Sequence, residues 1–242
     1  MPVARVESFV NSLFANVPGP AAKIKEFRFV PLEAGTMYLL ATADFSGRGF
    51  DWNILLIRPD GNVFRCFEVS SAGPHFLPRE VVDIDGDGVY EILTKELVGG
   101  YEGAETLPVY WISVMKPQGE SLIDVSEKYP ELYRRDILPE VNFMIRLLQP
   151  PANENPVLIA PLAEFQFVQF KIGRRVLGDS KAGLHEAIEW SRSKRQEIQI
   201  LAVETLKDIA DPGAVSSLTT LAGSTNSAVA RRAKAALSAR KH

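Results

Sequence analysis

Asp83-Ile84-Asp85-Gly86-Asp87-Gly88-Val89-Tyr90-Glu91-Ile92 is the most informative stretch of this 242-residue chain. Three aspartates alternate with spacers, two glycines let the backbone curl through left-handed conformations, and a glutamate follows before Ile92 and Leu93. Carboxylates crowded in this way repel one another unless a cation lies among them. Ca²⁺, a hard cation, takes roughly six to eight oxygens at about 2.3–2.6 Å. The side chains of Asp83, Asp85, Asp87 and Glu91, with the carbonyl of Val89, supply most of such a shell, and water completes it. The spacing therefore predicts a Ca²⁺ loop; whether the ion is structural or regulatory is a separate matter, with the structural role the expectation.

An Asp-x-Asp-x-Asp-Gly opening is shared with the EF-hand, which also needs a bidentate Glu at the twelfth loop position and a helix on each side. The twelfth position is Thr94, and the lead-in Gly73-Pro74-His75-Phe76-Leu77-Pro78 is a poor helix former. Glu91 stands at the ninth position instead, and an apolar run follows it. The stretch resembles the FG-GAP or VCBS-type calcium loops of integrin-like β-propeller blades, where one short strand leads in and another leads out. The resemblance covers residues 78–115 and implies Ca²⁺ held by Asp83, Asp85, Asp87 and Glu91. A propeller needs about four to eight blades. With a single loop of this type, the expectation is a small antiparallel sheet or sandwich carrying one blade-like calcium hairpin.

Outward from the loop, short alternating segments bounded by turn residues predict strands at Ile24 to Pro31, Met37 to Ala43, Trp52 to Arg58, Val63 to Val69, Val81 to Asp83, Tyr90 to Leu97 and Val109 to Met115. Pro59-Asp60-Gly61-Asn62 has the residues of a tight turn and predicts a hairpin. Ser126 is positioned to cap a helix through Arg135 as the chain leaves the sheet. Composition changes near Pro139, Pro150, Pro151 and Pro156, giving two domains: an antiparallel β-domain over 1–140 and an α-helical domain over 141–242.

The second domain contains a repeat. Sliding the chain by 31 positions superposes Ile198 on Val229, Ala202 on Ala233 and Leu206 on Leu237, and also Leu184 on Val215, Ala187 on Leu218 and Trp190 on Leu221. Such spacings place small and branched residues on one helical stripe that a neighbouring helix approaches closely. Asp211-Pro212 reads as a cap followed by the proline that opens a helix. Residues 180–242 resemble bacterial HEAT-like repeats, which implies stacked helical hairpins in a short α-solenoid, with Leu162 to Val176 as an inner helix joining it to the β-domain. The fold class expected is thus α+β.

Charge divides with the domains. Residues 1–140 hold 13 basic and 21 acidic residues, whereas 141–242 hold 14 and 9. The acidic front suits a cation; the basic end, with Arg231, Arg232, Lys234, Arg240 and Lys241 close together, raises nucleic acid as an alternative partner. Five cations on one terminal helix are more commonly a solvated edge. A single cysteine, Cys66, excludes a disulfide framework and any cysteine-rich zinc site. Cys66 lies in an expected strand and His75 and His185 form no zinc pattern, so a thiol hydrolase or zinc centre lacks support. Gly99-Gly100-Tyr101-Glu102-Gly103 lacks phosphate-loop spacing.

No stretch reaches the apolar length of a transmembrane helix, and Met1 to Glu7 lacks a basic region followed by an apolar block, so neither membrane insertion nor a visible secretion signal is expected. The calcium loop favours an extracytoplasmic address, periplasmic or secreted, where that ion is plentiful. Both resemblances belong to interaction scaffolds, and no nucleophile stands paired with a base. The expectation is a calcium-binding, non-enzymatic scaffold with a protein partner. A nucleic-acid-binding solenoid and a hydrolase with a dispersed site are the alternatives.

Overall fold

The computed structural model describes residues 3–13, 23–44, 51–57, 63–70, 81–98, 107, 109–118, 121–149 and 158–240. The protein is α+β, and among the described residues the strands form two four-stranded sheets whose described pairings are antiparallel. The chain divides into two units, Met1–Thr94 with Val114–Val125, and Lys95–Ser113 with Ser126–His242.

In the first unit, helix α1 (Val3–Leu13) precedes β1 (Lys23–Glu33), β2 (Thr36–Asp44), β3 (Asp51–Ile57) and β4 (Val63–Ser70), a meander in sequential order. Glu7 Oε1 accepts the Ile24 N–H at 3.0 Å and ties α1 to the start of β1. Strands β3 and β4 pair around Ile54↔Phe67; the turn expected at Pro59 to Asn62 lies outside the described residues. The second sheet runs β5 (Val81–Val82), β6 (Glu91–Leu97), β7 (Tyr110–Gln118), β8 (Ser121–Asp124). Strands β6 and β7 pass from one unit into the other, whereas β5 and β8 lie in the first. β8 is an additional strand: four residues are too few for an alternating pattern to stand out.

The first unit's core explains why the acidic loop is placed where it is. Val30 and Leu32 of β1, Tyr38 and Leu40 of β2, Val81 of β5 and Ile92 of β6 form one buried cluster. Two polar bonds reinforce it: Arg28 Nη2 donates to the Val81 carbonyl at 2.7 Å, and the Tyr90 N–H donates to the Pro31 carbonyl at 2.7 Å. Both ends of the loop are therefore fixed to β1.

The second unit is helical. After a 3-10 turn at Ser126–Lys128 come α2 (Pro130–Leu132), a π turn (Tyr133–Ile137), α3 (Leu138–Leu148), α4 (Ile159–Arg175), α5 (Leu184–Trp190), α6 (Gln196–Leu206), α7 (Pro212–Ala222) and α8 (Ser227–Ala239). The helical run does not stop at Arg135: the π turn leads directly into α3, with Pro139 in its first turn. Residues paired by the 31-residue offset meet in one core: Ala187 and Leu218, Ala202 and Ala233, with Val229 and Leu206. The capping also follows the sequence, since Asp211 Oδ1 accepts the Gly213 N–H at 2.8 Å and Asn226 Oδ1 accepts from Ala228 and Val229. Among the described residues no helix is long and apolar enough to cross a membrane.

Gly183 carries a geometric constraint. Its φ is 80°, and an added Cβ would stand 2.4 Å from Cδ2 of the Phe170 ring. Gly183→Ala combines left-handed strain with overpacking and is expected to cost about 2–4 kcal/mol in urea unfolding.

Glu164 of α4 is 6% exposed, and burial, aided by the charge of Glu197, pushes its carboxyl up to about 7. The folded state therefore holds a proton that the unfolded chain releases near pH 4.5. Stability from this group is complete below pH 4.5 and is lost as pH rises through 7. Glu164→Gln removes the dependence, so its stability advantage over the parent should grow by about 1–3 kcal/mol between pH 5 and pH 8 in paired melts.

Candidate metal site

The loop between β5 and β6 is shaped by its own carboxylates. Asp83 Oδ1 accepts the Gly86 N–H at 2.8 Å and its Oδ2 accepts the Gly88 N–H at 3.0 Å. Asp85 Oδ1 accepts from Asp87 N at 3.3 Å, and Asp87 Oδ1 from Val89 N at 2.7 Å. Asx-type bonds of this kind bend the backbone back on itself. Gly86 and Gly88 supply the positive φ values, 75° and 84°, that the bend requires.

Glu91, the first residue of β6, is fully buried. Its Oε2 accepts the Ile84 N–H at 2.9 Å, and Lys116 Nζ of β7 lies 2.7 Å from its Oε1. One carboxylate oxygen each from Asp83, Asp85 and Glu91 lie within 4.8 Å of one another, close enough to share an ion. Asp87 turns to the Val89 N–H and stands outside that cluster, while Val89 is half-buried on the path into β6. The structure therefore brings three of the four expected carboxylates together.

Sequence reasoning missed Lys116. Its signal lies in strand periodicity: Ile112 and Val114, both buried, share a face of β7 with it, so a cation in this register faces the interior and needs an acid.

The basic end is less available than its composition implies. Arg232 Nη1 is 3.2 Å from Glu204 Oε1. Arg240 donates to the carbonyls of Leu206, Lys207 and Ile209, closing the C-terminal end of α6. Arg231 and Lys234 are exposed on α8; Lys241 lies outside the described residues. Cys66 is in β4 and His185 in α5, whereas His75 and Gly99 to Gly103 lie outside the described residues.

A buried carboxylate stripped of its counter-ion is costly. Lys116→Met should destabilise the protein by about 2–4 kcal/mol in equilibrium unfolding, and adding Glu91→Gln should recover most of the loss. No protein-family model matches this chain, and no curated protein or solved structure is detectably similar to it.

Proposed function

We propose that this chain is a calcium-binding, non-enzymatic protein-interaction module of bacterial, extracytoplasmic type. Ca²⁺ holds the blade-like loop through Asp83, Asp85 and Glu91, with Asp87 and the Val89 carbonyl completing the shell from the solvent side. The helices from α5 to α8 act as a short HEAT-like solenoid that offers its surface to a protein partner. The observation that carries the metal reading is the convergence of Asp83, Asp85 and Glu91 within 4.8 Å on a loop whose glycines hold positive φ. The scaffold reading rests on the repeat and on a sequence that offers no nucleophile beside a base. Nucleic acid is the weaker partner, because Arg232 and Arg240 are engaged within the fold.

Lys116 gives the binding a specific character. An incoming ion competes with its ammonium for Glu91, and the doubly charged ion prevails where the other carboxylates add their attraction. At a hundred times its dissociation constant, Ca²⁺ should raise stability by about 2.7 kcal/mol, and Mg²⁺ by less. Asp85→Ala should abolish the shift, and Lys116→Met should tighten Ca²⁺ binding in calorimetric titration. A melting temperature indifferent to Ca²⁺, to chelator and to Asp85→Ala removes the site. Retention on DNA that disappears in moderate salt and on charge reversal of Arg231 and Arg232 replaces the protein partner with nucleic acid.

A further inference from the structure

The sequence contains three Asp-Gly bonds, Asp60-Gly61, Asp85-Gly86 and Asp87-Gly88. A glycine that follows aspartate has no side chain to shield its nitrogen, which is then free to attack the aspartate's own carboxyl carbon. In that step the glycine nitrogen gives up its proton and bonds to Cγ, and a carboxyl oxygen leaves as water. Water then opens the cyclic imide, at Cγ to restore aspartate or at the main-chain carbonyl to leave isoaspartate. Nothing is oxidised, and no ligand takes part.

In the acidic loop Asp85, Gly86, Asp87 and Gly88 are all exposed. The two carboxylates fold back along the chain: Asp85 Oδ1 accepts from Asp87 N at 3.3 Å and Asp87 Oδ1 from Val89 N at 2.7 Å. Each carboxyl therefore spans the glycine whose nitrogen it would meet. Asp83 opposes the reaction. Its Oδ1 accepts the Gly86 N–H at 2.8 Å and its Oδ2 the Gly88 N–H at 3.0 Å. A carboxylate acceptor strengthens an amide's hold on its proton and fixes the direction of the nitrogen. Asp83 is itself protected, because the next residue is the branched Ile84, whose N–H is bonded to Glu91 Oε2 at 2.9 Å.

We propose that Asp85-Gly86 and Asp87-Gly88 are sites of spontaneous aspartate isomerisation and that Asp83 holds both in check. An isoaspartate at position 85 lengthens the main chain by one carbon and attaches the free carboxylate to Cα. That displaces it from the group it forms with Asp83 and Glu91, whose oxygens lie within 4.8 Å of its own. The modification concerns the metal-free loop and stands whether or not the loop takes an ion.

The test keeps the full chain in warm neutral buffer with chelator and samples it over weeks. Digests are read by liquid chromatography with electron-transfer fragmentation, which separates isoaspartate from aspartate. Asp60-Gly61 is the internal reference. The parent should form isoaspartate at 85 and 87 more slowly than a synthetic peptide of residues 81–92. Asp83→Ala should speed formation at both positions about fivefold or more and leave position 60 unchanged. Asp83→Asn keeps one acceptor oxygen where two amides need one each, so it should speed one of the two positions only. Equal rates in parent and peptide, or parent rates at 85 and 87 in Asp83→Ala, would overturn the proposal. If Asp83→Ala loses its fold, position 60 ages faster too, and Asp83→Asn then decides: a one-sided response supports the proposal and an even one overturns it.

Discussion

A carboxylate taken out of water must be given a donor or a counter-ion, and Glu91 has one of each. The Ile84 N–H comes from the loop's beginning and the Lys116 ammonium from β7. Once these are made, the chain from Val82 to Glu91 can close in few ways, because its two ends meet at one side chain. The surrounding apolar residues then follow in register. Val81 pairs with Ile92 across β5 and β6, and both join Val30, Leu32 and Tyr38 of the other sheet. A polar constraint at the strand's first residue thereby fixes an apolar core.

The helical unit solves the opposite problem, bringing backbones close with little polar help inside. Ala187, Ala202, Ala214 and Ala233 are each fully buried, which lets neighbouring helices approach without large side chains to interlock. Polar bonds work at the helix ends. Asn226 caps α8 and also donates to Gln196 Oε1 at 2.7 Å, linking the starts of two helices one repeat apart. Lys181 and Asp211, 3.3 Å apart, form a comparable exposed link ahead of α7. Arg240 closes the end of α6. Side chains thus satisfy the orphan groups of these termini while the alanine-rich stripes set the spacing.

Local chemistry was the legible part of the sequence. Alternation located seven strands because a half-buried strand must alternate, and the offset repeat located α5 to α8 because equivalent helices bury equivalent faces. Asp211-Pro212 was readable as a helix start because cap and proline act within one turn. What escaped was non-local. The passage of β6 and β7 between units leaves no mark on composition, and the continuous helical run through Pro139 depends on a π turn that no periodicity announces. At the candidate site the three aspartates and Glu91 were visible as a string, but Lys116 lies 25 positions beyond Glu91, and only strand pairing brings them together. The charged run of α8 was legible as an exposed edge, but the partners of Arg232 and Arg240 were not, since Glu204 and the carbonyls at the end of α6 lie some 30 residues upstream.

The loop's internal bonds bear on how any ion would be received. Asp83, Asp85 and Asp87 already hold the backbone at Gly86, Gly88, Asp87 and Val89 through their own oxygens. A cation arriving there does not have to order a free loop, an expense of about 1–2 kcal/mol for each residue fixed. What opposes it is electrostatic: the Lys116 ammonium must give up part of its hold on Glu91. Because Lys116 is only partly buried, water can receive the displaced ammonium, whereas the buried Glu91 carboxylate always needs a positive neighbour. Folding already uses the carboxylate that ion capture would use, and the lysine would set the balance between them.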